Sequence, residues 1–435
     1  MFFQEKYERM SRADMSRLQL DKLRHIVDYC IANVPFYAER LSAAGVCGSR
    51  IKSLDDIKHI PFTTKEDLRD NYPFGLFGAP MKDIVRIHAS SGTTGKPTVV
   101  GYTKNDLNMW SDCVARLLVS AGVSDEDIVQ ISFGYGLFTG ALGLHYGLEK
   151  IGAAIIPASS GNSEKQIMLM NDFGVTGLVS TPTYAMYLSE FVKENNLDTG
   201  NFRLKHGIFG SESCSVEMRA KIEENFNLFA TDNYGMSELM GPGLSGECRE
   251  RDGLHICEDH FYGEIINSDT GESLPEGSVG EAVFTTLTRE GFPMLRYRTK
   301  DISRFNYDIC KCGRTAVRMD KIKGRTDDML KIKGVNVFPS QIESVLLGQA
   351  HIGNHYQLVV TRDGYLDNLE IRVELIDGSL LESYKELENL QRNIQGKLRS
   401  VLGLDAKVSL VQPQTLERFQ GKAKRVLDLR GEKNI

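Results

Sequence analysis

Apolar residues occur along the chain in two patterns, helical spacing and short continuous runs, and the alternation of the two predicts the order of helices and strands. At residues 16–41 leucine, isoleucine and valine return every three or four positions, which predicts an opening helix that Pro35 closes. Short apolar runs follow: IVRIHA, DIVQISF, AAIIPA, GLVST and HGIF. Helical patterns lie between and after them, at residues 107–121, 140–149, 164–173, 184–194 and 216–226. This alternation predicts βαβ units and a parallel sheet.

After Gly253 the pattern changes to short strands separated by turn-forming residues, which predicts an antiparallel or barrel-like subdomain at about residues 250–320. Polar and glycine residues at 321–334 precede two alternating strands and an amphipathic helix at 382–402. The predicted fold is α/β. A large N-terminal domain (1–325) carries mixed parallel sheets with helices and the strand-rich subdomain, and a small α+β domain (326–435) follows.

Composition narrows the function classes. The 435 residues exceed what one core holds, so at least two domains are expected. A net charge of −6 argues against nucleic acid as a partner, because non-specific affinity for it needs clustered lysine and arginine. The N-terminal stretch lacks the apolar centre of a signal peptide, which favours a cytoplasmic protein. Residues 128–148 are uncharged, but five glycines favour a buried strand, loop and helix over a membrane span.

A loop rich in glycine and hydroxyl groups follows the first apolar run, in the segment HASSGTTGKP. Backbone N–H groups and hydroxyls in such a loop approach phosphate oxygens closely. It differs from a Walker A motif, since Pro97 stands where the magnesium-binding Ser or Thr would be. The alternative is a solvent-exposed turn. The candidate phosphate-binding residues are Ser90, Ser91, Gly92, Thr93, Thr94, Gly95 and Lys96.

The loop SSGTTGKP resembles the signature of the adenylate-forming superfamily, and further segments resemble its other motifs in the same order. These are DNYGMSE at 232–238, YRTKD at 297–301, GRTDDMLKIKG at 324–334 and Gly421-Lys422. The segments ICEDHFYGEIIN and DDMLKIKGVNVFPSQIE resemble the phenylacetate-CoA ligase family more than fatty acyl-CoA synthetases. The resemblance implies ATP, Mg²⁺ and CoA as cofactors, an acyl-adenylate intermediate, a rotating C-terminal domain and a homodimer.

The resemblance also implies roles for individual residues. Lys422 would be the catalytic lysine, with Lys424 as the alternative, and Glu238 would bind Mg²⁺, a cation that prefers carboxylate and phosphate oxygens. Tyr234 would offer its face to adenine, Asp232 would accept from the adenine amino group, and Asp301 would bind both ribose hydroxyls. The remaining nucleotide-binding candidates are Gly210, Ser211, Glu212, Asn233, Gly235, Met236, Ser237 and Arg325. Asp327 would be the hinge and Gly334 would contact CoA.

The acid pocket is expected at the loop GYGLFTG, where Tyr135 and Phe138 could pack against an aromatic ring, and Gly210 is the third candidate for this pocket. The same residues could belong to the core. The loop also approximates a dinucleotide fingerprint, but no Asp or Glu ends the next strand, so NAD binding is rejected.

Cys248, His255, Cys310 and Cys312 form a candidate zinc site with three sulfur ligands and one nitrogen. Cys257 is a competing ligand, and reduced buried thiols are the alternative.

Three functions therefore compete. The first is an ATP-dependent acid:CoA ligase acting on a small aryl acid such as phenylacetate. The second is an adenylyltransferase of the same fold with another acceptor, such as a deazaflavin cofactor. The third is a nucleotide-binding protein without the chemistry. The sequence does not identify the preferred acid, since one methylene in an apolar pocket changes discrimination by only about 1–3 kcal/mol.

Overall fold

The computed structural model describes residues 1–90, 97–326, 330–332, 335–363, 366–378, 380, 383–417 and 425–430. Most buried apolar side chains of the N-terminal part belong to two adjoining clusters. A third cluster runs from Leu330 to Val426 and forms the core of the C-terminal part. The predicted boundary after Arg325 lies near this change of core and stays a prediction.

The N-terminal segment is helical. Its elements are α1 (Glu5–Glu8), α2 (Arg12–Asn33) and α3 (Pro35–Ala43), with 3₁₀ turns at Gly48–Arg50, Leu54–His59 and Met81–Asp83. The single helix predicted at residues 16–41 is wrong, because Val34 is extended and separates two helices. Pro35 begins the second helix instead of closing the first, since a proline at the first helical position loses no hydrogen bond.

The first apolar run is not part of the parallel sheet. Strands β1 (Arg86–Ala89) and β2 (Val99–Tyr102) form a separate antiparallel ribbon in which Arg86 is opposite Tyr102. The prediction that IVRIHA begins a βαβ unit is therefore wrong. Two strands this close in sequence pair antiparallel, whereas a parallel partner would need a crossover connection.

The next part is doubly wound α/β. Its helices are α4 (Lys65–Asp70), α5 (Lys104–Ala121), α6 (Thr139–Ile151), α7 (Ser163–Asp172), α8 (Pro182–Glu194) and α9 (Val216–Phe226). Its strands are β3 (Ile128–Ile131), β4 (Ala154–Ile156), β5 (Gly177–Ser180), β6 (His206–Phe209) and β7 (Phe229–Met236). These strands are parallel in the order β4-β3-β5-β6-β7. The interpretation of residues 128–148 as strand, loop and helix is confirmed.

From β7 onward the same sheet is antiparallel. The strands are β8 (Gly241–Glu247), β9 (Leu254–Ile256), β10 (Phe261–Ile266), β11 (Val279–Thr286), β12 (Tyr297–Asn306), β13 (Arg318–Met319) and β14 (Gly324–Arg325), with a 3₁₀ turn at Ser237–Leu239. Their order continues β7-β8-β9-β13-β12-β11-β10, and β14 pairs with β12. Within the described residues this makes one twelve-stranded sheet, in which β7 joins the two halves.

The C-terminal part is α+β. Its elements are β15 (Leu330–Ile332), β16 (Val335–Val337), α10 (Pro339–Leu347), β17 (Ile352–Asp363), β18 (Leu366–Leu375), α11 (Tyr384–Leu402), β19 (Lys407–Val411) and β20 (Val426–Asp428). Four strands form a sheet in the order β19-β18-β17-β20. The predicted α/β fold class is confirmed. Of the helices in the described ranges, none is both long and apolar enough to cross a membrane.

Candidate active site

The candidate site lies at the carboxyl ends of the parallel strands, where open α/β sheets bind their ligands. The loop after β3 carries Tyr135 and Phe138, Gly210 follows β6, and the segment at 232–238 occupies the end of β7 and the turn after it. The sheet therefore brings together segments that lie up to 100 residues apart in the chain.

The base of the glycine-rich loop is closed by two hydrogen bonds. The Ser90 N–H donates to the Thr98 carbonyl at 2.9 Å, and the Thr98 N–H donates to Ser90 Oγ at 3.0 Å. The Ala89 N–H donates to the Leu137 carbonyl at 2.9 Å, which fastens the loop to the one carrying Tyr135. Ser91, Gly92, Thr93, Thr94, Gly95 and Lys96 lie outside the described residues.

Asp301 stands between a phenol and a guanidinium. Its Oδ2 accepts from the Tyr234 hydroxyl at 2.6 Å, and its Oδ1 accepts from Arg325 Nη1 at 2.9 Å. Strand pairing places Asp301 directly opposite Arg325, so β12 and β14 fix this contact. Burial and the Asp301 carboxylate both raise the pKa of Tyr234, so its hydroxyl stays protonated and donates. Three of the predicted nucleotide-binding residues are thus in direct contact.

Asp232 belongs to a cluster of four charged side chains that the sequence analysis did not predict. Its Oδ2 lies 2.6 Å from both Arg219 Nη2 and Lys321 Nζ. Arg219 Nη2 also contacts Glu247 Oε2 at 2.8 Å, and the same Glu247 oxygen accepts from the Asp232 N–H at 2.8 Å. Burial raises the pKa of Glu247, and the Asp232 charge adds to that shift. Both ion pairs fall on Oδ2, so Asp232 Oδ1 is without a partner among the described residues.

Glu238 is 8% exposed, in the 3₁₀ turn after β7. Its carboxylate has no hydrogen bond or ion pair to any residue that the structure describes. Its backbone carbonyl accepts from Arg289 Nη1 at 2.8 Å, and Arg289 is itself fully buried between the rings of Tyr102 and Phe292. The turn is therefore held through the backbone, while the acidic side chain has no partner in the part of the chain that the structure describes.

The residues around the predicted acid pocket are adjacent to this turn. Thr139 begins α6, and its hydroxyl lies 3.2 Å from the Ser237 hydroxyl, so the Tyr135 loop meets the end of β7. The Tyr135 hydroxyl lies 3.1 Å from His145 Nδ1, a contact that sequence reasoning missed. Burial raises the pKa of Tyr135 to about 12. Phe138 remains 39% exposed.

The segment GSES, at residues 210–213, packs closely against β7. A side chain at Gly210 would meet Asn233 at 2.8 Å, and Asn233 Nδ2 donates to the Phe209 carbonyl at 2.7 Å. Glu212 Oε1 accepts from the Thr183 N–H at 2.8 Å, at the start of α8. Ser211, between these contacts, has a left-handed backbone with φ 70°. Position 235 has no room for a side chain, since a Cβ there would lie 1.9 Å from the Gly241 carbonyl oxygen.

Other predicted residues can be placed only in part. Cys248, His255, Cys310 and Cys312 converge, with their ligand atoms within 4.8 Å of one another. The competing Cys257 is elsewhere, and its sulfur faces the Cys113 carbonyl at 4.0 Å. Asp327, Gly334, Lys422 and the alternative Lys424 lie outside the described residues.

Known proteins resemble this chain over its whole length. The family model for AMP-binding enzymes matches residues 15–286, and the model for the AMP-binding enzyme C-terminal domain matches residues 334–430. A phenylacetate-coenzyme A ligase of Thermus thermophilus is 45% identical, and the alignment covers 99% of this chain and all of the relative. The chain belongs to the phenylacetate-CoA ligase family of AMP-binding enzymes. It is an AMP-forming acid:CoA ligase, as the sequence resemblance predicted.

Solved structures add information on the arrangement of the two domains. A 2-hydroxyisobutyryl-CoA ligase in the postadenylation state, 30% identical, matches with a TM-score of 0.91 over 97% of this chain and 91% of that one. The same enzyme in the thioesterification state matches with a TM-score of 0.72 over 98% and 92%. Because the covered shares are nearly equal, the lower score reflects a different placement of the parts within the chain.

Proposed function

We propose that this ligase activates an aryl acid, with phenylacetate as the first candidate, and transfers it to CoA. The observation that carries the proposal is the 45% identity to a phenylacetate-coenzyme A ligase over 99% of the chain. The pocket edge supports it, because Tyr135 and Phe138 place two aromatic rings on the loop beside Ser237, and aromatic rings favour edge-to-face packing with one another.

The reaction has two steps. The carboxylate of the acid attacks the α-phosphorus of ATP, the bond to the bridging oxygen breaks, and pyrophosphate leaves with the electron pair. The CoA thiolate then attacks the acyl carbon of the acyl-adenylate, and AMP leaves. The first step brings two anions together, so the protein must supply positive charge and in-line alignment.

The nucleoside would be held by the contacts at β7 and β12. Asp301 would bind the ribose hydroxyls, since a carboxylate has two oxygens that each accept more than one hydrogen bond, and Tyr234 and Arg325 hold it in place. Asp232 Oδ1 would accept from the adenine amino group, while Arg219 and Lys321 hold the other oxygen.

Glu238 fits a divalent cation. A buried carboxylate without a partner in the described part of the chain is costly unless a cation compensates it. Glu238 would hold Mg²⁺, which would supply positive charge close to the phosphates. The fully buried Arg289 would keep the Glu238 turn in place through its backbone carbonyl.

The arrangement of the domains supports a role in adenylation. This chain matches the 2-hydroxyisobutyryl-CoA ligase in the postadenylation state with a TM-score of 0.91. We therefore infer that the described arrangement of the domains serves adenylation. Lys422 would then supply positive charge at the carboxylate and α-phosphate. Asp327 would be the hinge for the second step, and Gly334 would contact CoA. The homodimer and the cytoplasmic location remain predictions.

The first experiment is ATP-pyrophosphate exchange with Mg²⁺ across arylacetates, benzoates and short fatty acids. We expect exchange that depends on an arylacetate, and AMP release that then depends on CoA. Exchange only with fatty acids would contradict the aryl-acid proposal. AMP release without CoA, but with another added acceptor, would favour the adenylyltransferase alternative.

Lys422→Ala should lower exchange by about 10²–10³-fold, the cost of removing one electrostatic contact to the transition state. Thioester formation from supplied acyl-adenylate should be unchanged, because Lys422 acts only in the first step. Lys424→Ala, two residues away with the same charge change, is the matched control and should keep exchange. The opposite pattern in the two variants would assign the role to Lys424.

A further inference from the structure

Three thiols and an imidazole meet in the antiparallel half of the sheet. Cys248 directly follows β8, His255 lies in β9, and Cys310 and Cys312 lie in the turn between β12 and β13. Cys248, His255 and Cys310 are buried, and Cys312 is half-buried. The four residues therefore come from the β8–β9 connection, from β9 itself and from the β12–β13 connection.

The spacing of the ligand atoms matches a tetrahedral zinc site. Cys248 Sγ lies 3.8 Å from Cys310 Sγ, and Cys312 Sγ lies 3.6 Å from His255 Nε2. With Zn–S of about 2.3 Å and Zn–N of about 2.0–2.1 Å, tetrahedral angles place two sulfurs about 3.8 Å apart and a sulfur and a nitrogen about 3.6 Å apart. All four atoms also lie within 4.8 Å of one another.

Neither alternative for these residues accounts for the arrangement. All eight cysteines are free thiols, so no disulfide explains the short sulfur distance. His255 Nδ1 is buried without a hydrogen-bond partner among the described residues, and its Nε2 faces the Cys312 sulfur, so Nε2 is the ring atom placed to bind a metal. A tight backbone turn brings Cys310 and Cys312 together. In this turn the Gly313 N–H donates to the Cys310 carbonyl at 2.9 Å, and Gly313 has a φ of 88°.

We propose that Cys248, His255, Cys310 and Cys312 bind one structural zinc ion. Four protein ligands close the coordination shell and leave no position for a substrate, as structural sites do. The chemical class of the ligand is a borderline-soft divalent cation, because three thiolates disfavour Mg²⁺ and Ca²⁺.

The ion would fasten the N-terminal segment to the sheet. In the turn that Cys310 and Cys312 begin, Arg314 Nε donates to Glu8 Oε2 at 2.7 Å, and the Thr315 N–H donates to the Glu8 carbonyl at 3.0 Å. The Thr315 hydroxyl donates to the Met10 carbonyl at 2.7 Å. Zinc therefore holds the turn on which residues 1–10 depend.

The other side of the site adjoins the residues that we propose to bind the nucleotide. Cys248 directly follows Glu247, whose carboxylate accepts from the Asp232 N–H at 2.8 Å. Fixing Cys248 limits the movement of Glu247 and hence of the segment proposed to bind adenine. Loss of the ion should thus affect the N-terminal segment first and nucleotide binding second.

The test is metal analysis of the full-length protein purified without chelator or metal-affinity resin. We expect about one zinc per chain, and X-ray absorption at the zinc edge fitted by three sulfurs and one nitrogen. Less than about half an equivalent, another metal in its place, or a shell of nitrogen and oxygen would overturn the proposal. A titration of the denatured protein that finds six thiols instead of eight would indicate a disulfide and would also overturn the zinc proposal. These measurements use the wild-type protein, so they do not depend on any variant folding.

Variants assign the ligands. Cys310→Ser and His255→Gln should each lower the zinc content at least about tenfold and expose residues 1–10 to proteolysis. Cys257→Ala is the matched control, because Cys257 is a buried thiol two residues from His255 and faces away from the site. Full zinc in Cys310→Ser, or its loss in Cys257→Ala, would contradict the assignment.

Discussion

The N-terminal segment and the C-terminal domain are both attached to the central sheet, but by contacts of different kinds. Glu8 and Arg314 form an ion pair with both side chains 5% exposed, and Arg116 and Asp259 form another at 7% and 2%. Between the domains, Glu190 contacts His355 at 3.4 Å with side chains 30% and 16% exposed, and Lys221 contacts Asn354 at 3.3 Å. The ion pairs of the first junction are buried, whereas the polar contacts of the second are partly exposed to solvent.

This difference predicts which junction can open. A buried ion pair is costly to separate, because each partner then remains as an uncompensated charge in the interior. A partly exposed pair exchanges its partner for water at a cost of about 0–1 kcal/mol. At the domain junction Glu343 also faces Glu212, and burial together with that like charge raises the pKa of Glu343 against the opposing effect of Arg425. The domain junction therefore suits repeated opening, and the N-terminal one does not.

The largest effect is expected from Arg116→Met. The substitution leaves Asp259 buried without its bidentate partner at 2.6 and 2.9 Å, and it removes the bond from Arg116 to Gln4. We expect a loss of about 3–5 kcal/mol in the free energy of unfolding. Trp110, the single tryptophan, is buried in the N-terminal domain, so its fluorescence during urea unfolding reports on that domain alone. Arg9→Met, which removes a pair exposed at 53% and 62%, is the control and should cost under about 1 kcal/mol.

The same variant should change the response to pH. Burial opposes the ionisation of Asp259, but His260 and Arg116 outweigh it and hold its pKa well below the ordinary value. A depressed folded pKa contributes stability above the unfolded value, near about 4, and loses it as pH falls. Without Arg116 this contribution is smaller, because His260 is then the remaining group that lowers the pKa of Asp259. The difference between wild type and Arg116→Met should therefore shrink as pH falls below about 4, and a constant difference would argue against an ionic cause.

The sequence predicted the two regions unequally. The pattern identified α5 to α9, which bury one apolar face each, and the parallel strands, which are short continuous apolar runs, buried on both faces in β5 and β6. It failed at Val34, where one pattern covers two helices, and at IVRIHA, where apolar character did not distinguish an antiparallel ribbon from a sheet strand. Fold topology, which a pattern of single residues does not contain, decided both cases.

The site shows the same division. The motifs predicted Tyr234, Asp301 and Arg325, which are in contact, and also the cysteines and histidine that converge. Arg219, Glu247 and Lys321 were missed, because they lie in ordinary helical or strand contexts and become a cluster only through pairings across the sheet. None of the three belongs to a recognised motif, and Arg219 and Lys321 lie in segments already rich in charge, so the sequence offered no signal for them.

A smaller effect is expected from Leu347→Ala. Leu347 ends α10 of the C-terminal domain, but it packs in an apolar cluster of the N-terminal domain and is 4% exposed. Its loss should weaken docking by about 2 kcal/mol without moving the Trp110 transition. Small-angle scattering should show a more extended protein, and proteolysis near residues 321–334 should accelerate. Leu346→Ala, one residue earlier but in the core of the C-terminal domain, should instead destabilise that domain. A Trp110 midpoint lowered as far as in Arg116→Met would mean that the domains unfold as one unit.

The smallest effect, and the most specific one, is expected from Glu190→Gln. The change weakens the contacts of Glu190 with Asn354 and His355 and leaves its shape unchanged. If the described domain arrangement serves adenylation, ATP-pyrophosphate exchange should fall by up to about fivefold, the equivalent of about 1 kcal/mol. Thioester formation from supplied acyl-adenylate should be unchanged, because that step uses another arrangement. Glu194→Gln, an exposed change at the end of the same helix, should alter neither rate. Equal loss in both half-reactions would show that Glu190 supports the fold of α8 and does not select between domain positions.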